Sequence, residues 1–382
     1  MPQHRKNPMN VITKSRIKNF FQGSPANKIV ALAVVVVVGL AGYWILAAKA
    51  STFFASTEPD SGTLSGNAKV VSDATASGGK ALQFNAPATT TPPPTGGGTG
   101  SLGLCTTIPS TPTAKPTASN TGVPTGTALS TTPPAGVTVT SDSWKVTADG
   151  TVINGKDIQN KWVDVEANNV VIENSRIHAP DGGGSAIARG NNDNVPNLTV
   201  INSEVYSSGG AYNGILATSG SKICGVNAHN FENIVEVEGT GIIVQSSYLH
   251  INQAAPGKSD PHNDGMEVRA GSSIQILGNN ITQTNPDESW QHNTSALYLG
   301  ATYGDLTNIT VNGNWFGGGT YSLYMVTVPV GAHKLGAFTV TNNKWYRGSY
   351  QYGQVSTDDG SSWKPATWAN NTFEDNGQAV GI

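Results

Sequence analysis

The sequence predicts an all-β fold, a stacked parallel β-helix of about nine coils, on three observations. The first is a nine-residue pattern that recurs along the C-terminal two-thirds of the 382-residue chain: NVVIENSRI from Asn169, NLTVINSEV from Asn197, GIIVQSSYL from Gly241, SIQILGNNI from Ser273, NITVNGNWF from Asn308 and AFTVTNNKW from Ala337. Weaker copies, GTVINGKDI from Gly150, ICGVNAHNF from Ile223 and PATWANNTF from Pro365, extend it at both ends. The second is the chemistry within a copy. Positions two and four are mostly apolar, six and seven are usually Asn, Ser or Gly, and nine is apolar. That describes a strand with one buried face, a corner that needs left-handed backbone, and the start of another strand. The third is the spacing: the copies start about 27 residues apart on average, among the solenoid repeats. No 3.6-residue period appears and 45 Gly are present, which excludes helical repeats. At about 4.8 Å per coil the rod is about 40 Å long.

The elements before the rod follow from composition. Residues 29–48, IVALAVVVVVGLAGYWILAA, form an uncharged apolar run long enough to cross a bilayer. Six basic residues precede it and one follows, so the positive-inside rule puts the basic tail 1–28 in the cytoplasm and the chain after about residue 50 outside. The expectation is a single-pass membrane protein with an extracellular C-terminal part. Secretion after cleavage near Ala50 is the alternative, since Ala48-Lys49-Ala50 has the small-x-small form of a cleavage site. Residues 87–137, with TTTPPPTGGGTG and STPTAKPTASN, are too poor in large apolar residues to bury a core and read as an extended, disordered linker. The rod then occupies 138–382. The chain is 12% charged with net charge −3, and from Ser51 onward 15 basic residues face 25 acidic ones. No basic groove appears, so nucleic acid is not an expected partner.

Cys105 and Cys224 are the only cysteines. Cys224 falls at an inward second position of its copy, which reads as a buried free thiol in preference to a bridge to Cys105. The Asn-x-Thr matches at Asn197, Asn308 and Asn370 arise from the repeat itself, and Trp315, Trp345 and Trp368 read as packing or end-capping of the late coils.

Side chains that face outward on successive coils must form ladders, and insertions after equivalent corners must stack. Four loops vary in length after the ninth position: APDGGGS after His178, YSSGGAYNG after Val205, HINQAAPGKSDPHNDG after Leu249 and TQTNPDESWQHNT after Ile281. Stacked on one side, they would wall a groove. The two longest contribute His250, Lys258, Asp260, His262, Asp264, Asp287, Glu288, Trp290 and His292. In GMEVRA, Met266 and Val268 facing the core would turn Glu267 and Arg269 out, and the same register exposes Asp164, Glu166, Glu236, Glu238, Tyr298 and Tyr324. Rings stack on sugar faces and carboxylates accept hydrogen bonds from hydroxyls, so this face suits a polysaccharide. Asp260, His262, Asp264 and Arg269 are the candidate catalytic residues, as acid, base and charge neutraliser. Lys258, Glu267, Asp287, Trp290, His292, Tyr298 and Tyr324 are the candidate substrate-binding residues. Glu236, Glu238 and Glu267 are candidate ligands for Ca2+, with Asp260 and Asp264 supplying further hard oxygens. The plainer reading is a solvated face beside a loop held by Asp and Asn side-chain turns.

From Asn120 onward the chain resembles exported bacterial right-handed parallel β-helix proteins of the pectate-lyase-like superfamily. The resemblance rests on the GTVINGKDI entry coil, the IxNS and VxNN turns, and DPHNDGMEV from Asp260. It implies a right-handed coil and a superfamily holding lyases, hydrolases, epimerases and non-catalytic adhesins. Asp260-Pro261-His262 is also similar to the Asp-Pro-His-Glu motif of β-helical alginate epimerases, to which Asp260 and His262 correspond. Asn263 stands where that motif has Glu, and Gly257 where its catalytic Tyr would lie. The Trp-Ile-Asp-His stretch of classical pectate lyases is lacking. Residues 51–86, through Glu58, Gly62-Thr63-Leu64, Asp73 and Ala76-Ser77-Gly78-Gly79-Lys80, resemble the opening strands of a β-sandwich carbohydrate-binding module, truncated before its remaining strands. The expected function is a tethered or secreted β-helix that binds, and could process, a polysaccharide by lyase, epimerase or hydrolase chemistry. The alternative is a non-catalytic surface adhesin or stalk.

Overall fold

The computed structural model describes residues 114–189, 195–283, 293–360 and 362–382, with Cys105 and the two strands Ala68–Ser72 and Lys80–Phe84. The chain divides into two units, Met1–Thr95 and Gly96–Ile382. In the first, the two described strands form an antiparallel pair with Ala68 opposite Phe84 and Ser72 opposite Lys80. The expected membrane span 29–48 and the basic tail 1–28 lie outside the described residues. Among those residues no helix is long and apolar enough to cross a membrane.

Among the described residues the second unit is built of strands, which run almost wholly parallel in one continuous sheet of 25 strands. The chain visits three parallel ladders in turn, as a parallel β-helix does. In the first ladder the fourth positions of the repeat pair in sequence: Ile153, Ile172, Val200, Ile223, Val244, Ile276, Val311, Val340 and Trp368. The first eight are wholly buried. The ninth positions form the inward row of the second ladder, from Ile158 through Ile177, Val205 and Leu249 to Trp345 and Phe373. Trp144, Val163, Ile187, Ile215, Val235, Met266, Leu297, Leu323 and Val355 form that of the third. Each row holds nine residues, one per coil, and the three rows meet as one hydrophobic core.

The corners behave as the repeat predicts. At the sixth position Gly155, Asn174, Asn202, Gly225, Ser246, Gly278, Gly313, Asn342 and Asn370 all take positive φ, between 46° and 69°. Gly and Asn tolerate this region at least cost, which is why they recur there. The next position points inward and stacks. Serines serve the early coils, where the Ser175 N–H donates to Ser203 Oγ at 3.1 Å. Asparagines serve the late ones, Asn279, Asn314, Asn343 and Asn371, the first three each donating to the next through the amide at 3.0 Å.

Three expectations change. The fourth copy runs from Gly220, not Ile223, because Ile223 pairs with Val200 and Val244. Cys224 therefore sits at the fifth position, beside Ile201. It is not a free thiol: Cys224 and Cys105 form a disulfide with Cα atoms 5.9 Å apart. The fifth position faces out of the coil, where the preceding segment crosses it. Finally, residues 114–137, within the stretch expected as linker, lie against the solenoid. Lys115 pairs with Glu374 at 2.7 Å, the Asn280 amide donates to the Pro116 carbonyl at 2.8 Å, and the Gly122 N–H donates to the Gly225 carbonyl at 2.8 Å. Ser130 bridges Lys156 in the first coil. Apolar content predicts disorder only for a segment that must bury its own core, and this one borrows the solenoid's. Trp345 and Trp368, with ring centroids 5.8 Å apart, pack the late coils as expected.

Candidate functional site

The first three of the variable loops stack at the corner between the second and third ladders. Asp181 Oδ1 accepts from the N–H groups of Ser208 and Gly209 at 3.1 and 2.6 Å, and the Gly210 backbone lies against the Ala254 carbonyl. Beside this corner, the outward face of the third ladder carries a row in which Glu236, Glu267, Tyr298 and Tyr324 are register partners on successive coils. Met266 and Val268 are buried in the core, which turns Glu267 and Arg269 outward.

A second row, Ser185, Asn213, Asn233, Asp264 and Ser295, runs next to the first. Strict alternation would send Asp264, three residues before Glu267, to the opposite face. It does not, because two consecutive residues point inward at each coil: Ile234 with Val235, Gly265 with Met266, Ala296 with Leu297. A Cβ on Gly265 would lie 2.5 Å from Ile281 Cγ2 and 2.6 Å from the Ala296 carbonyl, so on this coil only Gly fits between its neighbours. The strand bends there, and both carboxyl groups share one face.

Burial sets the charge state of this face. Glu267 accepts from the Asn233 amide at 2.9 Å and lies 3.5 Å from Arg269 Nε. Desolvation outweighs the arginine, and with Glu236, Glu238 and Glu232 nearby its pKa is pushed up to about 7. Asp264 is raised well above the usual carboxylate range by burial and then by Glu267, although Ser295 Oγ donates to its Oδ1 at 2.6 Å. Burial also raises the Tyr298 phenol, with Asp264 and Glu267 adding to it. Arg269 donates to Glu236 Oε1 at 2.7 Å and to the Tyr303 hydroxyl, with its guanidinium 4.2 Å from the centre of that ring.

Of the expected catalytic residues, Asp264 and Arg269 join this cluster, whereas Asp260 and His262 are exposed on the loop. What ties the loop down is Glu232, only 1% exposed: its Oε1 accepts from Lys258 Nζ at 2.6 Å and from the His262 N–H at 2.9 Å. Lys258 also lies 4.1 Å from the centre of the Tyr212 ring. Asp287, Trp290 and His292 lie outside the described residues. Glu238 pairs with Arg189 at 3.0 Å rather than with its row neighbours. Of the carboxylates expected to hold Ca2+, Glu236, Glu238, Glu267 and Asp264 thus carry arginine, amide or hydroxyl partners. Among the described residues no group of three or more His, Cys, Asp or Glu is placed to hold a metal ion.

Glu232, Asn233, Tyr212, Ser295 and Tyr303 went unnoticed in the sequence. Glu232, Glu236 and Glu238 share even spacing in NFENIVEVEG, which was the available signal for the first. Also unforeseen is a column of rings on the second ladder. His178 stacks on Tyr206 at 4.6 Å, followed by His229 at 5.3 Å and His250 at a further 4.9 Å. Burial beside His229 pushes the His250 pKa down to about 3, so this imidazole stays neutral and its Nε2 pairs with Asn227 Oδ1 at 2.9 Å. Compared with protein-family models, with curated proteins and with solved structures, the chain matches none.

Proposed function

We propose that the solenoid binds a polysaccharide along the outward face of its third ladder and processes it by acid–base chemistry centred on Glu267. The observation that carries this reading is a carboxyl group that titrates near neutral pH, in register with Tyr298 and beside Arg269. A general acid or base works best with a pKa near the operating pH, and such values cluster at functional sites. In this reading Glu267 exchanges the proton, with Asp264 beside it on the same face, accepting from Ser295. Arg269 steadies developing negative charge, and Tyr298 and Tyr324 offer ring faces to sugars. Lys258, Asp260 and His262 border the groove from the longest loop. The right-handed coil, the pectate-lyase-like kinship, the carbohydrate-module likeness of 51–86, and export with a membrane tether at 29–48 belong to the same proposal. The disulfide supports export, because such bonds persist in oxidising compartments.

Incubating the full chain with a glycan panel, with and without Ca2+, while following unsaturated products, epimerised residues and reducing ends, tests the reading. Turnover on one glycan is expected, with Glu267→Gln lowering it at least about a hundredfold. Turnover that survives Glu267→Gln would remove that residue's role. Absence of both binding and turnover across the panel overturns the whole reading. Binding without turnover would favour the adhesin, a reading supported by the ion pairs that already occupy Arg269, Lys258 and Arg189.

A further inference from the structure

The row that carries Glu267 does not end at Tyr298. Tyr324 follows with ring centroids 5.6 Å apart, Tyr321 lies 5.4 Å from Tyr324, and Tyr352 lies 5.9 Å from Tyr321. Four phenols therefore lead away from the acidic cluster over three coils, with one sideways step along a single strand from Tyr324 to Tyr321. Tyr298, Tyr324 and Tyr321 are half-buried, and Tyr352 at the far end is 68% exposed. Glycine clears the floor beneath the first of them: a Cβ on Gly300 would strike the Tyr298 ring. Tyr352 and its neighbour Tyr321 cover nothing in the core, and leaving rings of this size in water is costly unless something is meant to cover them.

We propose that Tyr298, Tyr324, Tyr321 and Tyr352 form a stepped binding track for a neutral polysaccharide, running obliquely over the last three coils so that successive sugars meet successive rings. This inference rests on the glycan reading of the Glu267 site and extends it. Three features select the ligand. Ring-to-ring steps of 5.4–5.9 Å are comparable to the advance of one sugar along an extended chain. Neighbouring rings are turned by 72°, 40° and 49°, so the track follows a twisted strand better than a flat aromatic ligand. The charges the track meets are mostly acidic. Asp358 acts on Tyr324, and Asp264 and Glu267 act on Tyr298 against a smaller opposing effect of Arg269, while Lys258 stacks on Tyr212, off the track. A polyuronate would face repulsion along this path, whereas a neutral glycan offers apolar ring faces to the phenols and hydroxyl groups to the carboxylates.

Titration calorimetry on the full chain tests the track by binding alone, independent of turnover. The probes are neutral hexasaccharides and trisaccharides of β-1,4-linked glucose, xylose and mannose, with hexagalacturonate as the anionic comparison. A neutral hexasaccharide is expected to bind more tightly than its trisaccharide. Tyr352→Ala and Tyr321→Ala should each weaken the hexasaccharide roughly two- to tenfold, and Tyr352→Phe should retain affinity. Tighter binding of hexagalacturonate, equal affinity of Tyr352→Ala and the natural protein for the hexasaccharide, or no binding of any neutral hexasaccharide would overturn the proposal. Ring-dependent binding without turnover would leave the track standing and remove only the catalytic role of Glu267.

Discussion

Glu267 shows how one residue ties stability to the chemistry proposed for it. Its carboxyl is surrounded by protein and by three other glutamates, and its pKa rises from 4.5 to about 7 on folding. Between these values the native state binds more protons than the unfolded chain, so stability from this group is complete below about pH 4.5 and is lost as pH rises through 7. Glutamine keeps the shape and cannot titrate. The stability of Glu267→Gln relative to the natural protein should therefore rise by roughly 3 kcal/mol between pH 4 and pH 8, at about 1.4 kcal/mol per tenfold in proton affinity. Urea titrations at the two pH values read this difference directly. The outward direction of Glu267 was legible from GMEVRA, because Met266 and Val268 alternate with it. The placement of Asp264 beside it was not. That depends on Gly265 and Met266 both pointing inward, and a period-two pattern contains no sign of the doubling.

Among the elements, the corner ladder of Asn279, Asn314, Asn343 and Asn371 bears the closest hydrogen-bonding demand. Asn343 is fully buried; its Oδ1 accepts from the Asn314 N–H and amide at 2.9 and 3.0 Å. Its own amide donates to the Val311 carbonyl and to Asn371 Oδ1, each at 3.0 Å. Asn343→Ala would strand a buried N–H and a buried carbonyl, each costing about 1–3 kcal/mol. A loss of roughly 3 kcal/mol in chemical denaturation is expected. Asn343→Ser should lose less, since serine already caps the neighbouring coil's N–H in the early turns, as Ser203 does for Ser175. The asparagines were visible as NN, GN and NS at fixed offsets in the repeat. Their left-handed partners at the sixth position followed from the same offsets, because local backbone preference alone selects Asn and Gly there.

For the whole molecule, the segment from Lys115 to Ser130 acts as a strap along the corner between the first and second ladders. It reaches Glu374 in the last coil and Lys156 in the first. The disulfide spans 119 residues of sequence and fixes the chain ahead of the strap to the middle of the solenoid. Closing so long a loop restricts the unfolded chain, and such a bond stabilises by about 2–4 kcal/mol. Cys105→Ser is expected to lower stability by that amount, and amide hydrogen exchange between residues 115 and 130 should accelerate while the inner rows of the core stay protected.

The repeat alone was enough for the coils, their number and their corners, the register of the fourth copy apart. Each depends on a residue and its neighbours a few positions away, and stacking merely repeats the same local solution nine times. The pairing of Cys105 with Cys224, the course of the strap, the shared face of Asp264 and Glu267 and the chain of tyrosines depended on which segments meet in space. These contacts join residues whose separations follow no period. Only the packed coils could bring them together, and with them the burial that sets the charge of the candidate site.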